Sequence, residues 1–506
     1  MITMHRAAAL SLLMACALAA HAQAAGTLRI GMQDDPDQLD PAQGGTYAGR
    51  IVFASLCDKL VDIDAQLNIV PQLATAWSWS PDAKRLTLTL RQGVTFHDGE
   101  LFDAAAVKAN LDRDRTAPES SRKAELKAVA SVDIVDSHTV ALNLSQPFAP
   151  LLAVLSDRAG MMLSPKAIAA AGKNIGANPV CSGPFRFVER TPLDHITLEK
   201  YPGYWNAGAI SLDRIIFRPI ADSTVRFVDL QGGQLDLIEE MAPSDATRAK
   251  ADPKLHFASQ TSLGYETISI NVGHAPGNSG PLAHDPRVRA AFEAAIDRGI
   301  INQVALEGLF VPDNQAELPT SRYYDSAHPT PGRDVEQAKA LLKEAGVNNL
   351  TVTLRMANTP RETQIGEIMQ SMLAEAGITL KLLPSETNTM IDAMNRGDYE
   401  SSIVNWSGRA DPDFNVSLFL ASDGFQNWGR YSNPAFDDLL SRARAATDPA
   451  VRAPLYHQAA ALYLTDKPDI FLFHTTWLFA ATTRLHGFAP LADGLIRPQG
   501  LSLDTH

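Results

Sequence analysis

The stretch LTVTLRMANTPRETQIGEIMQSMLAEAGITLKLL, residues 350–383, changes its hydrophobic period twice. Leu350, Val352, Leu354 and Met356 fall on alternate positions, the period of a strand with one face turned inward. Ile365, Ile368, Met369, Met372, Leu373 and Ala376 then recur at helical spacing, Gly377 ends the helix, and ITLKLL begins a new strand at Ile378. Strand, helix and strand in this order predict a right-handed crossover between parallel strands, hence an α/β sheet. The methionines on the helix are core filling. A short helix from Met390 to Met394 leads through Arg396-Gly397-Asp398 into a further strand, Ser401 to Trp406.

That strand ends in WSGRADPD, residues 406–413, just past the carboxyl edge where ligands of open α/β sheets bind. Trp406 offers an aromatic wall and Arg409 a clamp for an anion, with Ser407 and Asp411 in the same loop. The structural alternative is a core tryptophan and an arginine paired with Asp411. Asp411 and Asp413 have the look of a cation site, but Ca²⁺ takes six to eight oxygens and Arg409 would repel it, so no metal is expected.

Outward from this unit, helices are marked at HDPRVRAAFEAAIDR, where Asp285 caps and Pro286 opens, and at SNPAFDDLL with Asn433 and Pro434. Towards the N-terminus the period is that of strands alone. RLTLTLR and TVALNL alternate, the latter joined to SVDIV through a turn at Asp136-Ser137-His138, so the early region is antiparallel. FHDGE is a polar turn before a helix capped by Asp103. TISINVGHAPGNSGP is a strand followed by a Gly/Pro/Asn-rich run, expected to be the crossing between two lobes.

The first 24 residues have a basic start at His5 and Arg6, an apolar stretch from Ala7 to Ala20 and small residues at Ala22 and Ala24, an export signal. Cys16 only weakly resembles a lipoprotein cleavage box, so lipidation is not expected. Removing this segment from 506 residues leaves 482 and turns a net charge of −13 into −14. That length exceeds a single core and calls for two lobes. An acidic chain without Lys/Arg blocks argues against nucleic acid and anionic lipid as partners. Cys57 and Cys181 are the cysteines left after processing; in an oxidising compartment they are a candidate bridge, with two buried free thiols as the alternative.

No H-E-x-x-H, G-x-S-x-G, Gly-rich phosphate loop or C-x-x-C occurs. Cys181 has no histidine spaced to activate it. A secreted hydrolase therefore lacks its machinery. Several longer segments instead resemble the extracytoplasmic solute-binding proteins of ABC importers, in the dipeptide/oligopeptide/nickel family. They are LDPAQ at Leu39, LCDKLVDID at Leu56, PQLATAWSWSPDAKRLTLTLRQGVTFHDGELFDAAAV from Pro71, CSGPFRF at Cys181, YWN at Tyr204, ISINVG at Ile268, DPRVRAAFEAAIDR at Asp285 and NPAFDDLL at Asn433.

The resemblance implies a two-lobed α/β fold with a ligand cleft between the lobes. Residues 25–275 would form the first lobe, with an extra subdomain over roughly 56–180, 276–484 the second, and 485–506 a return to the first. It implies a monomer that closes about a hinge on a small peptide or peptide-like ligand in the periplasm and hands it to a membrane permease with paired ATPases, without catalysis or cofactor; a receptor that signals without transport is the other reading. GGTYAG at Gly44 resembles the first-lobe lip, making Thr46 and Tyr47 candidate ligand contacts. WSGRADPD resembles the second-lobe lip, where dipeptide binders place an aspartate for the peptide amine; here Arg409 stands there, pointing to a ligand carboxylate instead. Arg361 lies only near the position of those binders' carboxylate-holding arginine, and Ser432 replaces a cysteine common before N-P-x-F-D.

Overall fold

The computed structural model describes residues 26–504; the expected export segment, with Cys16, lies outside them. β1 (Thr27–Met32) buries Leu28, Ile30 and Met32 and leads to α1 (Tyr47–Leu56), capped by the Thr46 side chain. The antiparallel strands form a separate four-stranded sheet: β2 (Ala74–Trp79), β3 (Arg85–Leu90), β4 (Val129–Asp136) and β5 (Thr139–Leu144), ordered β2-β3-β5-β4. Leu86, Leu88 and Leu90 are its buried row in β3, the alternation that marked the strand. α2 (Ala104–Thr116) starts at the Asp103 cap, whose carboxylate accepts from Ala106 N at 2.9 Å, and lies against β4 and β5.

The main sheet continues with β6 (Phe185–Thr191), β7 (His195–Lys200), β8 (Arg214–Pro219), β9 (Leu237–Ile238) and the 16-residue β10 (Leu255–Ile270). The stretch at 350–383 is β11 (Thr351–Ala357), α3 (Pro360–Glu375) and β12 (Thr379–Ser385). Thr359 caps α3, Gly377 leaves it at φ +79°, and the two strands pair in parallel from Thr351↔Thr379 to Ala357↔Ser385. The next helix spans Thr387–Asn395, a turn longer than its apolar residues suggest. β13 (Ser401–Trp406), α4 (Pro412–Leu420), α5 (Pro449–Asp466) and the 14-residue β14 (Asp469–Thr482) follow.

Strand direction builds the cleft. The sheet runs β12-β11-β13-β10-β14-β9-β1-β8-β7-β6. β1 is parallel to β8 and β9, and β11 is parallel to β12 and β13. β14 is antiparallel to both β9 and β10, so β9 and β10 run in one sense, while β13, antiparallel to β10, runs against them. The carboxyl ends of β1 and β9 therefore face those of β11 and β13 across the middle of β10 and β14, which serve both lobes. A register shift in β10 between Thr261 and Tyr265 marks that middle. The Gly/Pro-rich run after Ile270, expected to be the crossing, is tied instead to the second lobe: Asn271 Nδ2 donates to Tyr399 O (2.9 Å) and Gly273 N to Gly429 O (2.8 Å). Turn residues announced the end of a strand, but the passage between lobes is made by continuous strand, which composition does not flag.

The first-lobe core joins Leu28, Ile30 and Phe53 to Leu485, Leu495, Ile496 and Leu501 from after β14. A disulfide between Cys57 and Cys181, Cα atoms 4.9 Å apart, ties the end of α1 to the segment before β6. The four-stranded subdomain meets the second lobe through Phe148, edge-to-face on Phe414 of α4 at 6.2 Å, and through Ala149 N donating to Arg444 O at 2.8 Å.

Candidate ligand-binding cleft

The second-lobe lip is held by a residue inside the helix that follows it. Asn415 Oδ1 accepts from Trp406 Nε1 (3.0 Å) and from Arg409 N (2.9 Å), while its Nδ2 donates to Arg409 O (3.1 Å) and Glu317 Oε1 (2.8 Å). Two glycines let the lip lie on β10. A Cβ at Gly264 would come within 1.8 Å of Trp406 O, and one at Gly408, itself at φ +77°, within 2.3 Å of Leu263 O.

Arg409 does not pair with Asp411. Its guanidinium stacks 4.6 Å from the Trp406 ring centroid, donates to Gly408 O (2.7 Å) and to Ser407 Oγ (3.4 Å), and reaches Asp157 of the first lobe, Nε to Oδ2 3.4 Å. Asp411 faces α5, where Arg452 holds both its oxygens at 2.7 Å; it also accepts from Asp413 N as the cap of α4. Of the four lip residues, Trp406, Ser407 and Arg409 are brought together and Asp411 braces them from behind.

On the first-lobe side, Thr46 Oγ1 donates to Asp37 Oδ1 (2.8 Å) while accepting from Gly49 N as the cap of α1. Tyr47 stacks on Trp477 of β14, centroids 4.5 Å apart and planes 6° off parallel, and its hydroxyl donates to Gly494 O (2.7 Å). One turn further along α1, Arg50 binds both oxygens of Asp157, Nε to Oδ1 3.1 Å and Nη2 to Oδ2 3.0 Å. Arg158 and Arg122 both donate to Gly44 O, at 2.9 and 3.2 Å, and Arg122 also pairs with Glu125.

Four arginines thus surround two carboxylates. Burial and the nearby Arg50 push Arg409 down to about 10; burial and Arg122 push Arg158 down to about 9. Burial alone would raise the Asp157 carboxyl, but Arg50, Arg409 and Arg158 hold it well below its ordinary value. Among the described residues, Arg50 Nη1, Arg122 Nε and Arg158 Nε are buried without an acceptor. Such an arrangement favours a further anion, because positive charge and spare donors are already in place and desolvated.

Arg361, at the start of α3, is engaged with carboxyls: its Nη2 donates to Glu266 Oε2 (3.0 Å) and Glu362 Oε1 (2.9 Å). Sequence reasoning missed Arg50, Arg122, Asp157, Arg158, Asn415 and Trp477. Three had a visible signal: Arg50 lies three residues after Tyr47, on the same helical face, and Asp157-Arg158 interrupts the apolar run PFAPLLAVLSDRAGMML.

Two lobes of opposed parallel strands, joined by strands that run through both and presenting charged lips to one another, define a cleft-type solute-binding protein. The chain belongs to the bacterial extracellular solute-binding proteins, family 5, whose middle-region model matches residues 68–427. It is 31% identical over 471 residues, 90% of each chain, to the glutathione-binding protein GsiB of Pectobacterium atrosepticum, and 30% identical over 506 residues, 97% of each chain, to GsiB of Escherichia coli K12. Among solved structures it resembles AgaA of A. tumefaciens R10 in complex with agropinic acid, with a TM-score of 0.83 at 27% identity over 95% of this chain and 99% of that one. DppA of Helicobacter pylori in complex with the peptide STSA superposes with a TM-score of 0.83 at 25% identity, covering 95% of this chain and 98% of that one. The protein is a solute-binding component of the ABC-importer type.

Proposed function

We propose that this protein is exported to the periplasm, where as a monomer it captures a carboxylate-bearing peptide or peptide-like molecule between its lobes and delivers it to a membrane permease driven by paired ATPases. The observation that carries this reading is the convergence of Arg409 from the second lobe with Arg50 and Arg158 from the first on a single carboxylate, Asp157, with buried donors to spare. Thr46, Tyr47, Trp406, Ser407 and Arg409 form the lips that meet the ligand; Asp411 serves them through Arg452. The protein performs no catalysis. Relatives named for glutathione binding, and a structural relative holding agropinic acid, make these two compounds the first to test. Mass spectrometry of the small molecule that co-purifies, followed by calorimetry with reduced glutathione, tests the reading: a bound molecule without any carboxylate would overturn it.

A further inference from the structure

The cleft has a second charged end. Glu239 and Glu240 follow directly on β9 in the first lobe; Glu266 sits on β10 as it enters the second, and Glu362 stands beside Arg361 in the first turn of α3. One guanidinium, Arg361, serves Glu266 and Glu362 at the distances given above. Gln33 N donates to Glu239 Oε1 at 2.6 Å. Arg226 gives its Nη2 to the backbone carbonyl of Glu240 (2.8 Å) and its Nη1 to the carbonyls of Ile220 and Ala221.

Glu239 is 2% exposed, yet among the described residues its Oε2 has no hydrogen-bond donor, while Glu266 (0% exposed) and Glu362 (4%) are paired carboxyl to carboxyl. Glu240 is held at φ +46°, a left-handed conformation that a non-glycine side chain adopts at a cost and that clusters at functional sites. This end communicates with the rest of the cleft: Tyr47 lies within electrostatic reach of Glu239 and Glu240 as well as of Arg50, and Arg361 of the second lobe within reach of Glu240 in the first.

We propose that Glu239 and Glu240, faced by Glu266 and Glu362, form the subsite for the ligand's ammonium group, set apart by the Tyr47–Trp477 stack from the arginines that take its carboxylates. The inference rests on the peptide-like ligand proposed above and adds its polarity. An ammonium offers three donors, which suits carboxyl oxygens open on more than one side. Among the described residues no three ligand-type side chains converge as a metal ion requires. Arg409 repels a cation from the lip, so the amine is directed to the opposite end. Burial and Glu240 raise the Glu239 carboxyl, and burial raises that of Glu240; a bound ammonium favours the charged forms and so lowers both.

The test uses a tryptic casein digest supplemented with reduced glutathione, divided in two, one half N-acetylated so that its amines lose their charge while its carboxylates remain. Each half is dialysed against the processed protein and the retained species are identified by mass spectrometry. The expected result is retention from the free-amine half and at least tenfold less from the acetylated half, with Glu240→Gln losing that preference. Calorimetry of the retained species with the unaltered protein, in buffers of different ionisation enthalpy, should show proton release, a readout that does not depend on any variant folding. Equal retention of both halves, or binding without proton release, overturns the ammonium subsite and leaves the binding-protein reading standing. Retention of neither half overturns the peptide-like ligand and this inference with it.

Discussion

Arg409 lies in the lip and Arg452 braces it through Asp411, and the two have different work. Arg409 stacks on Trp406 and crosses to Asp157, whereas Arg452 is locked to Asp411 with both nitrogens. Arg409→Ala should weaken ligand binding by about 2–5 kcal/mol, much of it from leaving an anion without its partner, while the fold survives. Arg452→Ala should instead lower stability by about 3–5 kcal/mol, because it leaves the Asp411 carboxylate buried and uncompensated. Calorimetry and urea unfolding on both variants separate the roles; equal affinity losses with no change in stability would show that both arginines face the ligand. The tryptophan and arginine of the lip could be placed together from the sequence because one ends a strand and the other follows it. Their partners were not, since Asp157 and Asn415 come to them from a different lobe and from inside a helix, and spacing says nothing of either approach.

At the scale of elements, periodicity carried the sheet. The crossover at 350–383 and the antiparallel rows in β3 and β5 were legible because one buried face imposes a single period on each segment. β10 and β14 were harder to see, since strands buried along most of their length lose the alternation. The Cys57–Cys181 link spans a sequence separation of 124 and binds α1, which carries Tyr47 and Arg50, to the edge from which β6 starts. A closed loop of this size contributes about 4–5 kcal/mol in the chain-entropy account. Urea unfolding with and without reductant should differ by an amount of that order, and thiol titration of the processed chain, denatured but unreduced, should find no free cysteine. Two titratable thiols would remove the bridge from the account.

The whole molecule should be most stable in mild acid. Burial, with Glu362 adding, raises Glu266 to about 8, and burial raises Asp58, Glu317 and Asp469 to about 7. Unfolded, these groups titrate near 4, so between about pH 4 and 8 the folded state holds protons the unfolded chain has released, and stability falls as pH rises. Asp157 has the opposite sign: its stabilisation is present above the unfolded value and is lost as pH falls through its depressed one. Thermal melts should show Tm rising from pH 8 to about 5.5 and falling again below about 4, with a flatter upper limb in Glu266→Gln. A Tm that climbs steadily from pH 5.5 to 8 would contradict this. Two lobes connected through β10 and β14 also predict hinge closure. Saturation with the co-purified ligand should shrink the radius of gyration in solution scattering, and an unchanged curve would count against it.

The segment that follows β14 completes the first lobe: Leu485, Leu495, Ile496 and Leu501 enter its core, and the Gly494 carbonyl receives the Tyr47 hydroxyl. A chain synthesised from its N-terminus must therefore keep β1 and α1 waiting until more than 400 later residues have arrived. Contacts of such separation close slowly and leave apolar surface uncovered meanwhile. The first lobe can therefore complete its core only after the segment that follows β14 has been made.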